Sequence, residues 1–308
     1  MAADDVKVRN AAVSAPPVAR SSPPQARLRA AALSDVGRVR ANNEDRFLVV
    51  RNDRTITPID TNIAAHQLVV VPQQTIWGLG VADGMGGHQA GEVASTLALN
   101  LTLQYAQQGL QWYVEIGEKE TREIVARFES VLEAVTREIG KHAERDPSLA
   151  GMGTTLTVAV VRNDRLFVYH VGDSRAYLLR AGHLVRITRD QTVAQDFVDR
   201  GLEECLAGLQ SARHMLTQAM GRGDVEVEVH LLTLAQGDRL VLSTDGLTDG
   251  VTDDEIEAVA SAGEPEHVCR TLVDKALAAG GRDNVTVIVA DVEILRGPDD
   301  APRPGAVA

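Results

Sequence analysis

Val171-Gly-Asp-Ser-Arg175-Ala-Tyr-Leu-Leu-Arg180-Ala-Gly182-His-Leu-Val-Arg-Ile187 holds two short apolar runs, Arg175–Arg180 and His183–Ile187, separated by Ala181-Gly182. β-Branched and aromatic runs bounded by Gly or Asp read as strands. Two residues between them read as a hairpin turn, which implies antiparallel pairing. Further strand signals lie upstream at Arg46–Val50, Thr75–Ala82, Thr154–Val161 and Arg165–Val171, and downstream at Arg239–Ser243 and Val285–Val292. One helical stretch starts near Ala90 and places Val93, Leu97 and Leu101 at steps of four. A second runs from about Glu120 to His142, with Ile124, Phe128, Val131, Val135 and Ile139 on one face. Thr252-Asp-Asp-Glu255 is a capping box that opens a third. Antiparallel sheet with amphipathic helices predicts an α+β fold or a layered sandwich. Residues 51–75 and 190–216 fit no long element and read as loops or insertions.

The chain of 308 residues carries 31 Lys and Arg against 43 Asp and Glu, a net charge of −12. That balance argues against sequence-independent nucleic-acid binding, which needs clustered cations. The apolar run Leu68 to Val71 is far too short to span a bilayer, so no membrane segment is expected. Two cysteines, Cys205 and Cys269, exclude a disulfide scaffold or a Cys₄ zinc site and suit a reducing compartment. Pro, Ala and Ser crowd residues 1–27, and prolines recur from 294 to 308. Both segments read as disordered tails around one domain at 28–293. The N-terminal tail lacks a signal-type apolar stretch, so the expected location is cytoplasmic.

Four aspartates fall at the ends of strand signals, in turns rich in Gly or Asn. They are Asp45, Asp83 in Ala82-Asp-Gly-Met-Gly-Gly-His88, Asp245 in Ser243-Thr-Asp-Gly-Leu247, and Asp283 in Gly280-Gly-Arg-Asp-Asn284. Asp-Gly is first of all a turn signal. An Asp at a strand end is also held rigidly while pointing beyond the sheet, so several can converge. Convergent carboxylates repel unless they surround a divalent cation. Oxygen-only donors suit Mg²⁺ or Mn²⁺, and the absence of HExxH or CxxC spacing disfavours zinc. No P-loop, dinucleotide fingerprint or nucleophile elbow is present.

Taken in order, seven segments resemble the metal-dependent (type 2C) protein serine/threonine phosphatases in their bacterial form. They are Ser34 to Asp45, Val81 to Ser95, Gly151-Met-Gly-Thr-Thr155, Val171 to Leu178, Leu216 to Gly221, Ser243 to Leu247, and Gly281 to Thr286. The resemblance spans essentially all of 30–292. It implies a four-layer αββα sandwich of two antiparallel sheets flanked by helices. It implies two Mn²⁺ or Mg²⁺ ions held by Asp83, the Gly84 carbonyl, Asp245 and Asp283, with Glu44 and Asp45 ligating or holding waters. Arg40 stands at the family's phosphate-binding position. His88 has two open roles, proton donor to the leaving alkoxide or brace of its glycine-rich loop. His170 reads as a packed core residue.

The expected activity is hydrolysis of phosphoserine and phosphothreonine by a metal-activated water, on phosphoproteins, opposing a cognate Ser/Thr protein kinase, by a monomer. Two rivals remain: a narrow phosphatase of anti-sigma-factor antagonists, and a catalytically silent phosphoprotein-binding module. The chain departs from the family in two places. The acidic residue expected four positions before Met152 for a third ion is Ser148, with Asp146 two residues earlier and Asp173 as another contributor, which leaves a third ion open. The mobile flap after Asp190 lacks its usual prolines, and Ala212 stands where one is expected.

Overall fold

The computed structural model describes residues 24–55, 59, 74–86, 90–109, 118–202 and 210–295. The elements in chain order are β1 (Gln25–Asp35), β2 (Arg46–Arg54), β3 (Gln74–Ala82), β4 (Gly84–Met85), α1 (Ala90–Gly109), α2 (Glu118–Arg145), β5 (Gly153–Thr154), β6 (Leu156–Arg162), β7 (Arg165–Val171), β8 (Arg175–Arg180), β9 (His183–Arg186), α3 (Val193–Asp199), β10 (Glu228–Thr233), β11 (Arg239–Ser243), α4 (Asp245–Thr248), α5 (Asp253–Ala260), α6 (Pro265–Ala278) and β12 (Val285–Leu295).

Two five-stranded antiparallel sheets result. One has the order β1-β12-β11-β8-β9 and the other β10-β7-β6-β3-β2. The expected hairpin joins β8 to β9: Ala181 (φ 51°) and Gly182 (φ 83°) are both left-handed, as a type I′ turn requires. Alternation then builds three apolar layers. Leu240 and Leu242 of β11, Ile288 and Ala290 of β12, and Leu166 and Val168 of β7 pack between the sheets. Their neighbours Val241, Val287 and Val289 face α5 and α6. Phe167, Tyr169 and Val171 face α1 and α2. Strands buried on both sides carry short apolar runs such as Val287–Ala290. The architecture is the expected αββα sandwich.

The expected face of α1 packs against the core, but the most deeply buried row is its neighbour. Ala90, Ala94 and Ala98 are fully enclosed, whereas Val93, Leu97 and Leu101 are only partly buried. Helix and strands approach closely here: a Cβ on Gly80 would sit 2.9 Å from Leu99 Cδ2. In α2, Phe128, Val135 and Ile139 are buried as expected, joined by Leu132. Thr252 and Glu255 form the expected capping box at α5.

Strands β1 and β10 and helix α6 extend the expected set. β1 opens at Gln25, inside the segment read as tail, and pairs with β12 along its whole length. β12 runs on to Leu295. Residues 1–23 and 296–308 lie outside the described residues, as does most of the 51–76 insertion. Within 190–216, α3 and a 3₁₀ turn at Gln210–Arg213 are the ordered pieces described. Among the described residues no helix is long and apolar enough to cross a membrane.

Candidate metal centre

Both sheets deliver carboxylates to one end of the sandwich. Asp45 immediately precedes β2 and Asp83 immediately follows β3, and their strand neighbours Arg46 and Ala82 are paired. Asp245 follows β11 by one residue, Asp283 precedes β12 by one, and Asp173 lies in the short β7–β8 connection. A cleft of about 660 Å³ is lined by Arg40, Glu44, Asp83, Gly84, Asp173, His214, Asp245 and Asp283.

Asp45 is 2% exposed. Its Oδ2 accepts from Thr244 Oγ1 at 2.8 Å and from Thr286 Oγ1 at 2.7 Å. Among the described residues its Oδ1, though buried, has no hydrogen-bond partner, and neither has the buried Oδ1 of Asp245. Orphaned buried carboxylate oxygens are costly. Burial drives the Asp45 carboxyl up to about 7, with Asp245 and Asp283 adding repulsion. Burial followed by repulsion from Asp245 and Asp45 holds the Asp83 carboxyl well above its usual range. Burial, then Asp245 and Asp190, do the same to Asp173.

The backbone around Asp83 is fixed by neighbours. Its N–H donates to Thr155 Oγ1 at 2.9 Å, and its carbonyl accepts from Thr154 Oγ1 at 2.8 Å. Thr155 Oγ1 in turn meets Ser174 Oγ at 2.7 Å. Gly84 must be glycine, because a Cβ would fall 2.1 Å from the Gly91 carbonyl oxygen in the first turn of α1. Glu44 Oε2 packs against Gly91, and burial raises the Glu44 carboxyl. Glu44 N–H donates to Asn284 Oδ1 at 2.8 Å, tying the two sheets together beside the cleft.

Arg40 reaches the cleft but not as a free cation. Its Nη2 donates to Asp283 Oδ2 at 2.6 Å. Of the expected site residues, Arg40, Glu44, Asp83, Gly84, Asp245 and Asp283 line one cleft. Asp45 lies beneath it, linked through Thr244 to the Asp245 turn. His88 lies outside the described residues. His170 is fully buried, with Nε2 donating to the Arg189 carbonyl at 3.0 Å and Nδ1 2.8 Å from Thr157 Oγ1, as a core residue should be.

Three further groups join the site. Asp173 is 8% exposed and faces Asp245, whereas Asp146 is exposed and spends its Oδ1 on Ser148. An acid near Met152 is therefore not the one that approaches the cluster. The other two are His214 and Asp249. His214 Nδ1 lies 3.6 Å from Asp245 Oδ2 and 3.9 Å from Asp249 Oδ2. The three side chains offer ligand atoms within 4.8 Å of one another. The bond to Asp245 lifts His214 to about 9, and burial lifts Asp249 to about 6. Arg213-His214 was readable only as the end of a flap, since no periodicity marks that segment.

The donor set is oxygen-rich, crowded with like charge and incompletely hydrogen-bonded. It fits hard divalent cations such as Mn²⁺ or Mg²⁺.

A family model described as "Protein phosphatase 2C" matches residues 64–279. The serine/threonine protein phosphatase PstP of Mycobacterium tuberculosis is 37% identical over 268 residues, covering 86% of this chain and 45% of PstP. The chain thus spans less than half the length of that relative. The serine/threonine phosphatase stp of Listeria monocytogenes is 30% identical over 271 residues, covering 87% of this chain and 97% of stp. Among solved structures, the catalytic domain of PstP in complex with two manganese ions is 35% identical, with a TM-score of 0.68, covering 87% of this chain and all of that one. The Staphylococcus aureus serine/threonine phosphatase Stp1 is 27% identical, with a TM-score of 0.68, covering 87% of this chain and 96% of that one.

Proposed function

The chain belongs to the protein phosphatase 2C family, and from that premise we propose that it is a metal-dependent phosphatase of phosphoserine and phosphothreonine in proteins. One observation carries the reading. Among the described residues, buried carboxylate oxygens of Asp45 and Asp245 lack partners inside a like-charged cluster that also contains Asp83 and Asp173, next to a guanidinium. Such a cluster is costly as a structural device and useful as a cation cradle.

Asp83, the Gly84 carbonyl, Asp245 and Asp283 would hold two Mn²⁺ or Mg²⁺ ions, with Glu44 and Asp45 holding waters around them. When bound, the ions supply positive charge opposite the phosphoryl group and lower the pKa of water at the site. The protein's own contribution is positional. Thr244 and Thr286 clamp one oxygen of Asp45 and leave the other facing outward from that clamp. Thr155 and Thr154 fix the Asp83 backbone, so its carboxylate needs no reorganisation. Among the described residues Arg40 gives Asp283 one N–H of Nη2, so the second N–H of Nη2 remains to form a planar fork with its neighbouring nitrogen for phosphoryl oxygens. His88 either protonates the leaving alkoxide or braces its loop.

The natural counterpart is a Ser/Thr protein kinase. A monomer is the expected state. A cytoplasmic location agrees with Cys269, a free and buried thiol. The test is release of phosphate from p-nitrophenyl phosphate and from a phosphothreonine peptide. Turnover requires Mn²⁺ or Mg²⁺, is lost in EDTA and is abolished by Asp245→Ala. Activity that survives chelation contradicts the proposal.

A further inference from the structure

Most arginines around the cleft are already spoken for. Arg40 is paired with Asp283, and Arg175 grips Asp190 with both arms at 2.9 and 2.7 Å. Arg222 donates to the Gly151 carbonyl and Arg38 to that of Leu277. Arg213 and Arg282 differ. Both are exposed, and neither has an ion pair or hydrogen bond among the described residues. They come from distant segments, the 3₁₀ turn that precedes His214 and the turn that precedes β12.

Both line the same cavity of about 590 Å³, which adjoins the carboxylate cleft. Arg282 borders the cavity and the cleft alike, together with Asp173, His214, Asp245 and Asp283. The acids of the cavity are accounted for. Asp190 is neutralised by Arg175, with Arg186 3.6 Å away. Asp173, Asp245 and Asp283 face the centre that would hold the cations. Only Asp249 remains, and it faces His214. With cations in place the cavity therefore presents two uncompensated guanidinium groups, whose planar forks suit carboxylate or phosphate oxygens.

We propose that Arg213 and Arg282 form a subsite for a second anionic group on the substrate, a carboxylate or a phosphate close in sequence to the phosphoserine or phosphothreonine being hydrolysed. The inference rests on the phosphatase reading and specifies its substrate class. A peptide whose phosphoryl group sits by Arg40 can lay its flanking residues into the adjoining cavity, where an anion gains two donors and a cation gains repulsion.

The test uses the full chain with Mn²⁺ and three phosphothreonine peptides that differ only in their flanks. The flanks carry alanines, glutamates within four residues on either side, or a non-hydrolysable phosphonate analogue of phosphoserine. The wild type turns over the anionic peptides with kcat/KM at least about fivefold above the alanine peptide, as expected for charge-assisted contacts at an exposed site. The R213E/R282E variant reverses that order. Each preference is a ratio within one protein, so a general loss of activity does not move it. A gain with both anionic peptides supports a general anion subsite, and a gain with the phosphonate alone narrows the second group to a phosphate. No preference in the wild type, or a preference that survives charge reversal, overturns the proposal. If the wild type hydrolyses none of the three peptides nor p-nitrophenyl phosphate with Mn²⁺, the phosphatase reading itself has failed and the subsite falls with it.

Discussion

Arg40 and Asp283, 243 residues apart in the chain, are joined by a 2.6 Å hydrogen bond between Nη2 and Oδ2. The second carboxylate oxygen accepts from Asn284 N–H at 2.8 Å. The group suited to phosphate and a group suited to cations thus hold each other. Both are partly exposed, so the pair adds little to stability. Its value is in keeping the guanidinium at the cleft. Arg40→Ala is therefore expected to raise KM for a phosphopeptide about tenfold or more while leaving the melting temperature nearly unchanged. Arg40→Lys restores little, because a point charge cannot replace the fork. Steady-state kinetics and thermal melts of both variants check this.

Asp245 is repelled by its neighbours and, among the described residues, holds a buried oxygen without a partner. Asp245→Asn removes that charge at constant shape. The metal-free protein should keep its stability, because relief of repulsion with Asp83 and Asp173 offsets the lost attraction to protonated His214. Mn²⁺ affinity should fall at least about a hundredfold, since even outer-shell changes around a metal cost 10- to 100-fold. Calorimetric titration and melts in EDTA read the two effects. A variant that is less stable without metal would show that Asp245 is structural.

Metal-free stability should fall as pH rises through neutrality. The carboxyls of Asp45, at about 7, and of Asp83 and Asp173, higher than usual, bind protons in the fold that the unfolded chain has already lost. Their contribution is present at low pH and disappears as pH climbs through the folded values. His214, raised to about 9, acts in the same direction. His170, depressed to about 4 by burial, opposes them only below its ordinary value near 6.5. The clean window is thus pH 6.5 to 8. Melts in EDTA should show a declining melting temperature across it. Mn²⁺, which binds the ionised carboxylates, should stabilise more at pH 8 than at pH 6.5. A rising metal-free melting temperature over this window contradicts the account.

Gly84→Ala drives a methyl group to 2.1 Å from the Gly91 carbonyl oxygen, so backbone must move. The expected cost is about 2 kcal/mol or more. Gly182→Ala meets no neighbour within 4 Å and pays only for its positive φ, roughly 1 kcal/mol. Denaturant unfolding of the two variants should rank them in that order.

Much of this was readable before any coordinates. The strands rich in β-branched and apolar residues were legible because burial on both faces favours such side chains, with polar exceptions such as Thr157 and His170 paired to each other. β1 was not, because Gln25–Asp35 is rich in alanine and arginine and finds its partner β12 more than 250 residues later. Its one local cue is the alternation of Ala26 and Leu28, buried, with Arg27 and Arg29, exposed. β10 is a half-exposed edge strand with weak alternation. α6 was not expected either, although Pro265 at its first turn and Val268 and Leu272 at a step of four are local cues to it.

At the site, aspartates beside glycines at strand ends stood out because that position couples rigidity with reach. Asp173 was harder to place, since the β7–β8 connection looks like any turn until the sheets are stacked. His214 and Asp249 meet Asp245 only in three dimensions. The alanine face of α1 illustrates the same limit: the helix periodicity was correct, but which row faces inward depends on how closely Gly80, Gly84 and Gly91 let the layers approach.

The central claim is that carboxylates from both sheets surround a pair of divalent cations. Anomalous diffraction at the manganese edge from crystals grown with Mn²⁺ tests it most directly. The account predicts two strong peaks in the cleft, one between Asp83 and the Asp245 and Asp283 carboxylates and one beside the Gly84 carbonyl, about 3.5–4 Å apart. A cleft without such peaks at saturating Mn²⁺ would contradict it.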